Sequence, residues 1–267
     1  MFLASAVQLN ASSDVEGVYA VTEQLVSRAA GYGAQLVCTP EATNFLGPHD
    51  QKIALAEPLN GATVQRYQDL ARRLQIHLLI GSVNERGDEN RCYNTSVLLG
   101  PDGDLLGSYR KMHLFDVDVP DGVRFFESNT TAPGDEPVVV QTALGTIGLS
   151  ICYDLRFPRL YQELVDRGAE ILAVPSAFTL TTGRDHWHPL LRARAIETQC
   201  YVIAPGQHGH HDDKGLRNSY GHSLIIDPWG TVVADCADGV GLALAEVDLE
   251  RVRRIRQGMP VQQHRRC

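Results

Sequence analysis

No apolar run in this sequence approaches the roughly 20 residues that a membrane-spanning helix needs. Basic residues are not in excess either. There are 24 Lys and Arg against 32 Asp and Glu, for a formal charge of −8, a balance that argues against a general nucleic-acid binder. The opening residues, Met1-Phe2-Leu3-Ala4-Ser5-Ala6-Val7, lack the basic stretch of a secretory leader and run straight into a strand pattern. The six cysteines (Cys38, Cys92, Cys152, Cys200, Cys236 and Cys267) include no CxxC pair. Dispersed cysteines in a chain of this length predict a reduced, cytoplasmic protein rather than a disulfide scaffold. No low-complexity tract and no Pro/Gly/Ser linker divides the chain. Gly31-Tyr32-Gly33 closes a helix and lacks the downstream pattern of a phosphate cradle. The one basic concentration is Arg251, Arg253, Arg254 and Arg256, followed by His264, Arg265 and Arg266. It reads as a solvated helix face and tail rather than a polyanion site.

What is present is an ordinary globular composition. With 267 residues, 43% hydrophobic and 21% charged, the chain can bury a sizeable core as one α/β domain. Strand and helix signals alternate. Phe2 to Leu9 is a short apolar strand. Asp14 caps a helix to about Ala30, with Val15, Val18, Val21, Leu25 and Val26 inward. Strands are predicted at Gln35–Thr39, Leu78–Val83, Cys92–Leu99, Leu105–Tyr109, Val138–Gln141 and Thr146–Ile151. Further strands are expected at Ile171–Val174, Tyr201–Pro205, His222–Ile226, Thr231–Ala234 and Leu242–Val247. Helices are expected at Thr63–Leu74, Arg159–Asp166, Trp187–Gln199 and Leu249–Arg256. Helices interleaved with strands and hairpins mean covered sheets of mixed direction. Composition does not choose between one sheet and two.

Three reactive side chains stand at strand exits: Glu41 after Leu36-Val37-Cys38-Thr39-Pro40, Lys111 after Ser108-Tyr109-Arg110, and Cys152 after Leu149-Ser150-Ile151. A strand-to-helix elbow lifts a nucleophile out of a core. Amides are poor electrophiles, so their hydrolysis needs a soft nucleophile, a nearby base and positive charge where the oxyanion develops. Most cysteines are inert buried thiols. That description suits Cys38, Cys92, Cys200 and Cys236, but not Cys152, which is followed by Tyr153, Asp154 and Arg156. Arg156 could grip a substrate carboxylate bidentately or pair structurally with Asp154 or Glu163. Phe178, Thr179, Thr181 and Thr182 read as a polar loop that lines the pocket. Two histidine groups, His208, His210 and His211 before Asp212 and Asp213, and His186 and His188 around Trp187, lack the paired spacing of a closed zinc site. No metal is therefore expected, and Trp187 reads as packing.

The blocks Pro40-Glu41-Ala42, Tyr109-Arg110-Lys111-Met112-His113-Leu114-Phe115-Asp116 and Cys152-Tyr153-Asp154-Leu155-Arg156-Phe157-Pro158 resemble the Glu, Lys and Cys signatures of the nitrilase superfamily of carbon–nitrogen hydrolases. The resemblance extends over nearly the whole chain, through Gly168-Ala169-Glu170-Ile171-Leu172, Pro175-Ser176-Ala177-Phe178, Ser219-Tyr220-Gly221-His222-Ser223 and Asp227-Pro228-Trp229-Gly230-Thr231 to Pro260-Val261-Gln262-Gln263-His264-Arg265-Arg266. These later blocks are most similar to a deaminated glutathione amidase-like branch.

The resemblance implies a four-layer α-β-β-α sandwich over residues 1–267. It implies homodimers or higher homo-oligomers paired through helices near Arg159–Asp166 and Trp187–Gln199, with a tail (about 258–267) crossing to the partner. Glu41 would then be the general base, Cys152 the nucleophile, and Lys111 with the Tyr153 backbone N–H the oxyanion ligands. Glu127 would join the catalytic set, hydrogen-bonding Lys111 and helping to orient the substrate. Arg156, Phe178 and Thr179 are the substrate-binding candidates, and no metal or organic cofactor is required. The implied substrate is deaminated glutathione, cleaved to 2-oxoglutarate and cysteinylglycine. The alternatives are an ω-amidase acting on 2-oxoglutaramate or succinamate, another aliphatic amidase or nitrilase, and a scaffolding member without activity. The residues alone reach only as far as a small anionic amide.

Overall fold

The computed structural model describes residues 1–118, 124–211 and 217–266. Asp212, Asp213 and Cys267 lie outside them. The first half runs β1 (Phe2–Gln8), α1 (Val15–Gly31), β2 (Ala34–Cys38), α2 (His49–Ala54), α3 (Ala62–Leu74), β3 (His77–Arg86), β4 (Cys92–Leu99) and β5 (Leu105–Arg110). Next come β6 (Asp116–Asp118), β7 (Arg124–Phe126), β8 (Thr131–Ala132), β9 (Val138–Thr142) and β10 (Gly145–Leu149). After them come α4 (Pro158–Asp166), β11 (Ile171–Ala173), α5 (Leu180–Thr198), β12 (Tyr201–Ala204), β13 (His208–His210), β14 (Asn218–Tyr220) and β15 (Leu224–Ile226). The chain ends with β16 (Val232–Asp235), β17 (Gly241–Val247), α6 (Leu249–Gly258) and α7 (Val261–His264).

Two large sheets settle the question that composition left open. One has the order β17-β1-β2-β3-β4-β5 with β8 beside β4, the other β16-β15-β12-β11-β10-β9. Alternation along the strands shows how they stack. Leu36 and Cys38 share a core with Ile147, Leu149, Leu172 and Ile203 of the second sheet. Val37 between them faces the other way, against Leu25, Val26 and Ala29 of α1 and Tyr67 and Leu70 of α3. Leu79 and Leu98 point to the first core, while Leu78, Ile80, Val97 and Leu99 point to the second. A period of two on strands buried on both faces requires a covering layer on each side. The second sheet is covered by Leu160, Tyr161 and Leu164 of α4 and Trp187, Leu191 and Ala195 of α5. The layers are therefore α-β-β-α.

Asp14 caps α1 as expected, its Oδ1 accepting from the Gly17 N–H at 3.1 Å. Helix α5 begins at Leu180, earlier than the Trp187 read from sequence, and carries Pro189 inside it. Thr181 and Thr182 therefore lie in its first turn rather than in a loop. This turn is held by packing. A Cβ on Gly183 would come within 2.4 Å of Tyr220, and the Gly183 N–H donates to the Thr179 carbonyl at 2.7 Å. The arginines of α6 are tied down. Arg251 bonds Asp227 at 2.6 Å and Arg256 donates to the Ala169 carbonyl at 2.8 Å. The tail lies along its own chain, with Arg265 donating to Asp166 and Gln162 on α4.

Candidate active site

Cys152 follows β10 with a φ of +49°. A side chain other than glycine or asparagine in this left-handed region is strained, and such residues concentrate at functional sites. Surrounding bonds hold it there. The Cys152 N–H donates to the Pro175 carbonyl at 2.9 Å. Asp154, fully buried, accepts from the Ile151 N–H at 2.8 Å and the Tyr109 hydroxyl at 2.8 Å. It also accepts from the His113 N–H at 3.1 Å and stands 2.7 Å from His113 Nδ1. His113 in turn stacks on Phe157 with ring centroids 3.8 Å apart. One carboxylate thus pins the Cys152 elbow of the second sheet to the Lys111 segment of the first. Arg156 consequently does not pair with Asp154. Tyr153 is the second residue of the single 3₁₀ turn Cys152–Arg156, a position whose N–H has no intrahelical partner.

Glu41 leaves β2 through Pro40, and β3 passes directly beneath. A Cβ on Gly81 would lie 2.0 Å from the Thr39 carbonyl oxygen and 2.2 Å from that of Pro40, so only glycine allows this approach. The Gln207 side chain donates to the Glu41 carbonyl at 2.9 Å. The Glu41 carboxylate accepts from Lys111 Nζ at 2.8 Å, Asn94 Nδ2 at 2.9 Å and the Ala177 N–H at 2.8 Å. Glu127 accepts from Lys111 Nζ at 2.9 Å, Asn94 Nδ2 at 3.2 Å and the Phe115 N–H at 2.8 Å. Lys111 is 2% exposed and sits between two carboxylates.

Burial alone would push Lys111 down. The charges of Glu127 and Glu41, with Cys152 beside them, outweigh it and hold the ammonium well above its ordinary value. Glu127 is likewise opposed by burial but lowered by Lys111 and Lys52. Burial and the adjoining Glu41 carboxylate, which accepts the thiol's hydrogen bond, push the Cys152 thiol well up, against the pull of Lys111. The thiol thus stands against the Glu41 carboxylate.

Glu41, Lys111, Glu127 and Cys152 all line one open cleft. The same cleft holds Lys52 and Arg217, which the sequence reading missed. Lys52 Nζ donates to Thr131 Oγ1 at 2.7 Å. Arg217 donates to the Gly47 carbonyl at 3.1 Å and lies over the Phe125 ring. Asn94, also missed, reaches both carboxylates. Thr179 borders this cleft and a smaller adjoining one, whereas Phe178 and Arg156 border only the smaller. Arg156 lies over the Phe178 and Tyr153 rings, 3.3 Å from His186 Nδ1. Trp187 is fully buried, as its packing role anticipated.

The Carbon-nitrogen hydrolase family signature matches residues 3–257. The chain belongs to this family and is a hydrolase of carbon–nitrogen bonds. It is 44% identical to a deaminated glutathione amidase of Synechocystis over 99% of this chain and 98% of that one. Among solved structures, it superposes on the Caenorhabditis elegans NitFhit protein with a TM-score of 0.93 at 40% identity, covering 99% of this chain and 65% of that one. It superposes on Saccharomyces cerevisiae Nit3, a nitrilase-superfamily member, with a TM-score of 0.88 at 33% identity, covering 100% and 97%.

Proposed function

We propose that this chain hydrolyses deaminated glutathione through a thioester on Cys152. The observation that carries the reading is the convergence of the Cys152 thiol with Glu41, Lys111 and Glu127 in one buried cluster. Glu41 takes the thiol proton as sulfur attacks the amide carbon. The oxyanion is met by Lys111 Nζ and the Tyr153 N–H. The intermediate collapses, the carbon–nitrogen bond breaks, and Glu41 returns the proton to the departing amine of cysteinylglycine. Water then attacks the thioester, giving its proton to Glu41. The second collapse releases 2-oxoglutarate and restores the thiol. Glu127 and Asn94 hold Lys111 and Glu41 in place. This uses no metal.

Lys52 and Arg217 support an anionic substrate, since each presents a cation in the cleft that holds the sulfur. Truncating either to alanine is expected to raise KM by roughly 10- to 100-fold with little change in kcat, the value of a charge-assisted hydrogen bond. Chains are also proposed to pair through α4 and α5, where Ile196 of α5 is exposed, as are Trp229 in the β15–β16 turn and Met259 after α6. Sedimentation of the purified protein measures that.

The deciding assay offers deaminated glutathione and, separately, 2-oxoglutaramate, and follows 2-oxoglutarate with a coupled dehydrogenase. Preference for the first, abolished in Cys152→Ala, is expected. Turnover of 2-oxoglutaramate alone would make the protein an ω-amidase.

A further inference from the structure

His188, His222 and Asp235 come from the middle of α5, the segment after β14 and the end of β16. One nitrogen or oxygen from each lies within 4.8 Å of the other two. None of the three borders the Cys152 cleft or its smaller neighbour.

Their separations are informative. His188 Nε2 is 3.4 Å from one Asp235 oxygen and His222 Nδ1 is 3.3 Å from the other. Charge-assisted hydrogen bonds are shorter, about 2.7–2.9 Å. Ligand atoms about 2.0–2.1 Å from one zinc ion lie no more than about 4.2 Å apart, so the cluster, whose atoms are within 4.8 Å of one another, needs only a small closure to hold an ion. The carboxylate turns one oxygen to each imidazole, as it would in straddling an ion.

His222 is also held in place. Its φ is +51°, in the region that residues other than glycine rarely adopt. The fully buried Trp187 donates Nε1–H to its carbonyl at 2.7 Å. Its second ring nitrogen faces Asp238, with Nε2 3.8 Å from Oδ1. That carboxylate is exposed and beyond hydrogen-bond distance, so it adds negative charge near the site without fixing the ring. The side chains are 32%, 28% and 40% exposed, so an ion can reach them and keep an open coordination position.

Of the other histidines of the sequence reading, His208 stands 3.6 Å from the same Asp238 carboxylate and accepts from the Gly239 N–H at 3.3 Å. His211 is buried between the Ala11 carbonyl and Ser219, and His210 stands beside Asn218.

We propose that His188, His222 and Asp235 form a binding site for a divalent ion of the zinc class, outside the catalytic cleft. Two imidazoles and one carboxylate suit zinc, cobalt, nickel or copper rather than calcium or magnesium, which take all-oxygen sites.

The test is calorimetric titration of zinc chloride into chelator-stripped protein carrying Cys152→Ala, so that the active-site sulfur takes no metal. One saturable equivalent is expected, weakened about tenfold or more by His188→Gln and by Asp235→Asn. Both changes lie at partly exposed positions, and far-UV circular dichroism checks that the variants fold. Zinc should also raise the unfolding midpoint of the Cys152→Ala protein and not that of the His188→Gln, Asp235→Asn double variant made in the same background. No saturable binding below millimolar zinc would overturn the proposal, as would binding of unchanged affinity in both variants.

Discussion

Replacing Glu127 with glutamine keeps its shape and removes one of the two charges on Lys111. At the 2.9 Å that separates Nζ from Oε2, an effective dielectric near 20 gives about 6 kcal/mol of attraction. Holding a carboxylate out of water costs several kcal/mol, so most of that attraction is offset. What remains is the net worth of a charge-assisted hydrogen bond, roughly 1.5–3 kcal/mol. Lys111 would still have Glu41, but it would no longer be held from both sides. An ammonium whose work is done at the oxyanion shows its misplacement in turnover rather than in affinity. Loss of one well-aimed donor costs on the order of 10²–10³ in kcat. Glu127→Gln is therefore expected to lose about 10²-fold in kcat, with KM changed by no more than about threefold. The assay is coupled 2-oxoglutarate release, with thermal unfolding run alongside. A folded variant whose kcat stays within about tenfold of the parent would refute the assignment of Glu127 as the residue that positions Lys111. A loss carried wholly by KM would say instead that Glu127 acts on substrate binding.

Cys152→Ala should leave no more than a trace of turnover. Because residue 152 sits at φ +49°, Cys152→Gly should melt no lower than Cys152→Ala. At an ordinary buried position glycine would be about 0.5–1 kcal/mol worse, and that result would count against backbone strain at the elbow. The folded state holds the Cys152 thiol above its ordinary value of 9.0. An acid raised on folding contributes stability that is intact below its unfolded value and is lost as pH climbs past it. Urea denaturation should show stability falling above about pH 9, less steeply in Cys152→Ala, and equal slopes would contradict this. Gly81→Ala drives a methyl into the Thr39 and Pro40 carbonyls. We expect about 1–3 kcal/mol of destabilisation together with reduced kcat, both measured on the purified variant.

The strands before Glu41 and Cys152 were legible because they are apolar and largely buried, whereas the strand before Lys111 is mostly exposed and Lys111 was found through its surrounding block. Short pieces were not legible. Helix α2 and the hairpins β6–β7 and β13–β14 have too few residues to establish a period. Arg156 was read either as a substrate grip or as a structural partner of Asp154 or Glu163, and it borders the smaller cleft together with Cys152. In space it turns onto the rings of Phe178 and Tyr153. Lys52 and Arg217 reach the cleft from segments far apart in the chain, and no local pattern marks a lysine or arginine for such use. Asn94 did leave a signal. Asparagine is disfavoured within a strand such as Cys92–Leu99, and its two carboxylate partners explain it.

The Asp154 anchor between the sheets has a consequence for the unassembled chain. Glu41 and Lys111 follow strands of the sheet that β1 and β17 share, and Glu127 follows the small β6–β7 pair, while the sulfur follows a strand of the other large sheet. Neither half is chemically dangerous by itself. A molecule whose second sheet has formed but not docked carries a thiol without a base, and one whose first sheet has formed alone carries a base with nothing to activate. Reactivity is thus the last property the protein acquires and the first it surrenders. Under mild denaturant, turnover should vanish while both sheets still give their circular dichroism, so that hydrolysis reports the alignment of the two halves rather than the presence of either.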